Sequence, residues 1–153
     1  MEFDIKGNLM PYEIIYTDLA TFKRELVDAF PHSRTRQHIF QNFAGYIEKL
    51  TALIGTDFYQ WIDGSFVTRK LDPRDIDVVT FVDADVYNKC EQGIQLLRDY
   101  NRDHQTGLDE YFVKHYPELH RKNVLYQMDI VQWYTQFCTS RTGARKGFIQ
   151  LNY

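Results

Sequence analysis

Residues 61–79 read Trp61-Ile-Asp-Gly-Ser-Phe-Val-Thr-Arg-Lys-Leu-Asp-Pro-Arg-Asp-Ile-Asp-Val-Val79, and this stretch decides the fold. The flanking segments 57–63 and 75–82 are rich in β-forming residues, so each predicts a strand. Gly64-Ser65 ends the first strand, and nine residues separate this pair from Asp75. The stretch therefore predicts two strands joined by a loop that begins with a Gly-Ser pair.

The second strand carries two carboxylates on one face. Side chains alternate along a strand, so Asp75 and Asp77 point the same way and Ile76 points the other way. Two carboxylates this close repel each other unless a cation neutralises them, and oxygen ligands favour Mg²⁺ or Mn²⁺. The alternative is an exposed edge strand with two solvated acids. The apolar run at 78–82 indicates a buried strand and favours a metal site at Asp75 and Asp77.

The Gly-Ser pair predicts a phosphate-binding turn. Glycine allows the backbone to approach a phosphate closely, and backbone amides together with the Ser65 hydroxyl can hold its oxygens. An ordinary turn is the alternative for Gly64 and Ser65. Lys70 lies in the spacer and is the basic residue that we predict to contact phosphate, although a solvated basic loop explains it equally well.

A third carboxylate is expected from the segment 124–134, which is rich in β formers and predicts a strand. If this strand lies beside the 75–82 strand, Asp129 reaches the same cations. Three carboxylates around two divalent ions suit in-line phosphoryl or nucleotidyl transfer. The alternative for Asp129 is a surface acid or a helix partner.

Taken together, these residues resemble the polymerase-beta-type nucleotidyltransferase superfamily, most closely its minimal branch of small proteins. The family motif is a Gly-Ser pair, a spacer near ten residues, an Asp-x-Asp pair and a later Asp on a neighbouring strand. Gly64, Ser65, Asp75, Asp77 and Asp129 match these positions.

The resemblance implies an Mg²⁺-dependent (or Mn²⁺-dependent) enzyme that binds a nucleoside triphosphate, with ATP expected. It would transfer a nucleoside monophosphate to a hydroxyl of a protein, an RNA such as tRNA, or a small molecule, and release pyrophosphate. Asp75, Asp77 and Asp129 would be the catalytic metal ligands; Gly64, Ser65 and Lys70 would bind phosphate.

The alternative is a non-catalytic nucleotide- or partner-binding module of the same fold. Small proteins of this branch often work beside a partner protein, frequently in toxin–antitoxin or defence loci. A phosphoesterase or nuclease ranks last, because neither needs the Gly-Ser element.

The rest of the chain predicts one α+β domain over residues 1–153. Thr17 and Pro31 bound a first helix, Ser33 or Thr35 begins a second that ends at Gly55, and a helix is expected at 108–116. The second Asp-x-Asp, at 83–85, is interpreted as the cap of a helix that runs to about Tyr100. With a last strand at 148–151, the fold class is a small mixed sheet of four to five strands flanked by helices.

Composition excludes several classes of protein. Hydrophobic residues make up 44% of the 153, and the net charge of -3 is not that of a protein that coats nucleic acid. Cys90 and Cys138 lie far apart with no histidine at ligand spacing, so zinc is not expected. The N-terminus starts acidic without an apolar run, and no run approaches the ~20 residues that span a bilayer, so we expect a cytoplasmic protein.

A small basic patch consists of Arg141, Arg145 and Lys146. Such a patch is able to bind an acceptor polynucleotide or pyrophosphate, but a solvent-facing turn is the favoured interpretation.

Overall fold

The computed structural model describes residues 1–140 and 142–153, and a five-stranded mixed sheet forms its centre. A short hairpin of β1 (Glu2–Phe3) and β2 (Leu9–Met10) precedes this sheet. The five strands are β3 (Ile14–Thr17), β4 (Phe58–Asp63), β5 (Ile76–Asp83), β6 (Leu108–His115) and β7 (Phe148–Asn152). Their order is β3-β7-β4-β5-β6. The outer pairs β3–β7 and β5–β6 are parallel, and β4 is antiparallel to both its neighbours.

The helices are α1 (Leu19–Lys23), α2 (Arg36–Ile54), α3 (Ala84–Asp103) and α4 (Asn123–Phe137), and a π-helical turn at Arg24–Asp28 continues α1. This content confirms the predicted α+β class with a mixed sheet. Asp18, rather than Thr17, caps α1. Of the two predicted cap candidates, Asp83 and Asp85, it is Asp83 that caps α3, because its side chain accepts hydrogen bonds from the amides of Asp85 and Val86. No helix in residues 1–140 and 142–153 is long and apolar enough to cross a membrane.

The sheet has two differently covered faces. Alternate strand residues such as Ile62, Ile76 and Val78 join the core with α1 and α2. The residues between them, such as Trp61 and Val79, pack on the other face with α4. Since successive strand residues point to opposite faces, the acids at 63, 75, 77 and 109 belong to the α4 face.

The secondary structure of two predicted elements is wrong: one predicted helix is a strand, and one predicted strand is a helix. The predicted helix at 108–116 is strand β6, because its side chains alternate in burial and its eight residues pair with β5. The predicted strand at 124–134 lies within helix α4. The residues of α4 that pack on the sheet follow helical spacing: Tyr126 and Phe137 are buried, and Ile130 and Trp133 are partly buried. The β-forming composition of the segment masks that period.

The N-terminal hairpin is tied to the two loops at one end of the sheet. The Arg69 amide donates to the Gly7 carbonyl at 2.9 Å, and the Gly147 amide donates to the Leu9 carbonyl at 2.8 Å. The approach at Gly147 requires glycine, because a Cβ there would lie 2.2 Å from the Pro11 carbonyl oxygen. The hairpin thereby becomes one wall of the cavity described next.

Candidate active site

Three carboxylates form a row across three neighbouring strands. Asp63 at the end of β4 pairs in register with Asp77 on β5, and Asp77 pairs in register with Asp109 on β6. Residues directly opposite each other in a sheet project from the same face. Asp75 lies two residues before Asp77 and extends the row, so four acids occupy one end of the α4 face.

The charges of these acids act on neighbouring groups. Burial raises the pKa of Asp109 above its ordinary value, and the charge of Asp75 raises it further. Burial also raises the pKa of Tyr111, and so do the charges of Asp109, Asp77 and Asp75. One exposed tyrosine therefore senses three of the four carboxylates, which places them in a single electrostatic cluster.

Gly64 brings the backbone directly against this row. Its φ is +84°, and a Cβ at this position would lie 2.2 Å from Oδ2 of Asp77. No larger residue fits without moving the Asp77 carboxylate. Ser65 then begins a short 3-10 turn, Ser65–Val67, whose first carbonyl accepts a hydrogen bond from the Thr68 hydroxyl at 2.7 Å.

A buried guanidinium holds the loop that follows. Arg36 on α2 is fully buried and donates four hydrogen bonds of 2.7 Å, one to Leu26 and three to the loop carbonyls of Phe66, Thr68 and Lys70. Burial lowers the pKa of Arg36 to about 10, while the charge of Asp72 opposes this, so the group stays charged at neutral pH. The spacer between the Gly-Ser pair and Asp75 is therefore an organised loop.

A cavity of about 620 Å³ opens between these elements. This volume lies within the range of small-molecule sites. The charged side chains of its lining comprise three acids and three cations: Asp63, Asp75, Asp77, Lys70, Arg74 and Lys146. Hydroxyl groups of Ser65, Thr68, Thr139 and Ser140 also line it. Such a mixed lining complements a ligand that carries both a cation and phosphate groups.

Five of the six predicted site residues line this one cavity. They are Gly64, Ser65, Lys70, Asp75 and Asp77. Asp129 does not line it, because the strand that was to bring it beside β5 is helix α4. Burial raises the pKa of Asp129, and no other carboxylate contributes to that shift. The placement expected for Asp129 is therefore wrong.

Asp109 occupies the place on a neighbouring strand that was expected for Asp129. The sequence signal was the run of β-forming residues Tyr111-Phe112-Val113, which favours a strand with Asp109 near its start. The prediction of a helix at 108–116 concealed this strand and the position of Asp109 on it.

Lys146 is the other functional residue that sequence reasoning missed. The basic patch was expected to face solvent, yet Lys146 is buried and its ammonium donates to Oδ2 of Asp63 at 2.5 Å. Arg145 is exposed, and Arg141 lies outside the described residues. Spacing along the chain cannot reveal this difference, because Arg145 and Lys146 are consecutive residues.

The donor set fits Mg²⁺ as an open site. Within residues 1–140 and 142–153, no three acidic, histidine or cysteine side chains converge as a ready-made metal cage. Mg²⁺ is usually held by one or two carboxylates together with waters and substrate phosphates, which matches the pair Asp75 and Asp77 in a cavity that also carries cations.

Fold and site together define an α+β protein with a charged cavity at one end of a mixed sheet. The chain belongs to the family of unknown function DUF6932, whose profile matches residues 1–152. No curated protein and no solved structure matches the chain at a significant level.

Proposed function

We propose that the protein is a metal-dependent nucleotidyltransferase that moves a nucleoside monophosphate from a nucleoside triphosphate to a hydroxyl group. The observation that carries the proposal is the contact between two elements: Gly64 lies directly against the Asp77 carboxylate. A turn suited to phosphate and a carboxylate suited to a divalent ion therefore meet at one point of one cavity.

The donor nucleotide would bind with its phosphates between the Gly-Ser turn and the cationic lining. The hydroxyl and the backbone amide of Ser65 would hold phosphate oxygens, and Lys70 would neutralise their charge. Asp75 and Asp77 would hold Mg²⁺, with ATP the expected nucleotide. The ion would supply positive charge that lowers the pKa of the attacking hydroxyl and stabilises the departing pyrophosphate.

We assign to Asp109 the role of accepting the proton of the acceptor hydroxyl. The oxygen of the acceptor hydroxyl forms a bond to the α-phosphorus. The bond between the α-phosphorus and the oxygen that bridges the α- and β-phosphates breaks. Pyrophosphate leaves, and the hydroxyl proton passes to the Asp109 carboxylate. Burial and the charge of Asp75 raise the pKa of Asp109, which makes it a better proton acceptor than an ordinary aspartate.

The acceptor would approach from the β6 side. A second groove of about 320 Å³ lies there, and its lining includes Arg98, Asp109 and Tyr111. Asp109 lines this groove and pairs in register with Asp77, which lines the proposed nucleotide cavity. A protein, an RNA such as tRNA, and a small molecule are the acceptor classes to test. Two free thiols, Cys90 and Cys138, support the proposal that the protein acts in the cytoplasm.

The test is transfer of label from each nucleoside triphosphate, labelled at the α- or the γ-phosphate, with Mg²⁺ and acceptors that include tRNA and the protein itself. Transfer of the α-label with release of pyrophosphate is expected, and Asp77→Asn should abolish it. Asp85→Asn, in the second Asp-x-Asp, is the matched control and should retain it. Transfer of the γ-label, or activity that survives Asp77→Asn, would contradict the proposal.

Two observations favour the non-catalytic alternative. The first is that the described acids do not form a closed three-ligand site. A partner would also find apolar side chains on α4, where Val124, Met128 and Val131 are exposed. Nucleotide binding without transfer to any acceptor would favour this alternative.

A further inference from the structure

The ion pair of Lys146 and Asp63 is buried inside the cavity. Their side chains are 9% and 6% exposed, and both residues line the cavity. The Lys146 amide donates to the Cys138 carbonyl at 3.0 Å, so the backbone of the segment before β7 turns this side chain inward.

The ion pair leaves part of the hydrogen-bonding capacity of Asp63 unsatisfied, which is unfavourable for a contact that serves only stability. Asp63 has one satisfied oxygen; the other, Oδ1, is buried and makes no hydrogen bond of standard geometry with residues 1–140 and 142–153. Because apolar residues of similar size often serve stability as well as a buried ion pair, packing alone gives no reason for an ammonium here.

The ammonium retains unused hydrogen-bonding capacity. A lysine ammonium has three N–H donors, and the acceptor recorded for Lys146 in the described residues is the one oxygen of Asp63. Two donors remain for oxygen atoms of a ligand in the cavity. Lys70 and Arg74 are also cationic lining residues, but both are exposed. A side chain already fixed by packing loses less conformational entropy when a ligand binds.

We propose that Lys146 contacts the phosphate groups of the bound nucleoside triphosphate directly and that Asp63 is the positioning residue that aims its ammonium. This inference rests on the proposed function, since it assigns a phosphate ligand in the same cavity. It also explains why a carboxylate stands beside Gly64 in a position where it adds negative charge to the row.

The test measures the affinity of the full-length protein for ATP with Mg²⁺ and for inorganic tripolyphosphate by isothermal titration calorimetry. Lys146→Met should weaken both ligands at least about tenfold, the loss typical of one charge-assisted hydrogen bond. Lys146→Arg keeps the charge and should recover part of the affinity. Arg145→Met removes a neighbouring exposed cation and should bind like the wild type.

The double variant Asp63→Asn with Lys146→Met separates a structural role from phosphate binding. It replaces the buried ions with a neutral pair, and circular dichroism should show that it folds. This folded double variant should bind both ligands at least about tenfold more weakly than the wild type does. Wild-type affinity in this folded double variant would overturn the assignment.

The two proposals fail in different ways. If the wild type binds tripolyphosphate through Lys146 but does not bind ATP with Mg²⁺, the nucleotidyltransferase proposal fails and the phosphate assignment stands. If ATP binds with Mg²⁺ and the Lys146 variants bind it equally well, the phosphate assignment fails alone. Binding of neither ligand overturns both.

Discussion

Replacing Gly64 with alanine tests the contact between the Gly-Ser turn and the acidic row. Gly64 has φ +84° and ψ −168°, a region that is essentially restricted to glycine. An alanine Cβ would also lie 2.2 Å from Oδ2 of Asp77, so the carboxylate must rotate away. We expect Gly64→Ala to lose ATP binding in the presence of Mg²⁺.

Gly55 provides a closely matched control for the backbone strain. It ends α2 with φ 83° and ψ −162°, and an added Cβ meets nothing within 4 Å. Either alanine should cost about 1–3 kcal/mol in the free energy of unfolding. For a chain of this size that corresponds to a fall in Tm of about 3–10 °C.

The assay pairs thermal unfolding with calorimetric titration of ATP and Mg²⁺. The two variants should unfold at similar temperatures, while the affinity for ATP falls at least about tenfold in Gly64→Ala alone. Equal ATP affinity in the two variants would refute the reasoning, because it would show that the position of the Asp77 carboxylate against Gly64 does not matter.

Three further variants test the surroundings of the site. Arg36→Lys should lower the free energy of unfolding by about 3 kcal/mol, because an ammonium cannot satisfy four carbonyls that are buried or partly buried. The exposed Arg34→Lys should change it little, and a similarly small change at Arg36 would contradict the role of this guanidinium in holding the loop. Gly147→Ala should destabilise by about 1–3 kcal/mol, since its Cβ meets a backbone carbonyl at 2.2 Å. Gly45→Ala, inside α2 with open space around it, should instead stabilise by about 0.5–1 kcal/mol; the same sign for both glycine variants would contradict the close packing at Gly147. Burial raises the pKa of Glu110 from 4.5 to about 7, so the folded state holds its proton to a higher pH than the unfolded state and loses stability as pH rises through this window. Glu110→Gln should therefore gain up to about 3 kcal/mol over the wild type between pH 5 and pH 8 in denaturant titrations, and a constant difference would contradict the burial of this acid.

The part of the fold nearest the site was the part most open to prediction. The segments around β4 and β5 combine β-forming residues with a glycine break, and local composition agrees with tertiary context there. Asp83 was recognisable as a cap because an aspartate stood at the start of a long helical segment. Gly64, Ser65, Asp75 and Asp77 could be found because they lie close together in the chain.

The remainder depended on contacts between distant residues. Strand β6 owes its state to pairing with β5, and the β-forming residues of α4 are helical because four of them pack on the sheet at helical spacing. Propensity is a weak guide where such contacts decide. Because 108–116 was predicted as a helix and 124–134 as a strand, the third carboxylate was predicted at Asp129, whereas the structure has Asp109 in the row. The burial of Lys146 could not be predicted, because it depends on how the segment before β7 folds back onto Asp63.

The central claim is that Asp75 and Asp77 hold the divalent ion of a nucleoside triphosphate. It is tested most directly by the affinity for ATP with and without Mg²⁺ in the wild type, Asp77→Asn and the control Asp85→Asn. Mg²⁺ should raise the affinity at least about tenfold in the wild type and in Asp85→Asn, and should have little effect in Asp77→Asn. An equal effect of Mg²⁺ in Asp77→Asn and the wild type would contradict the claim.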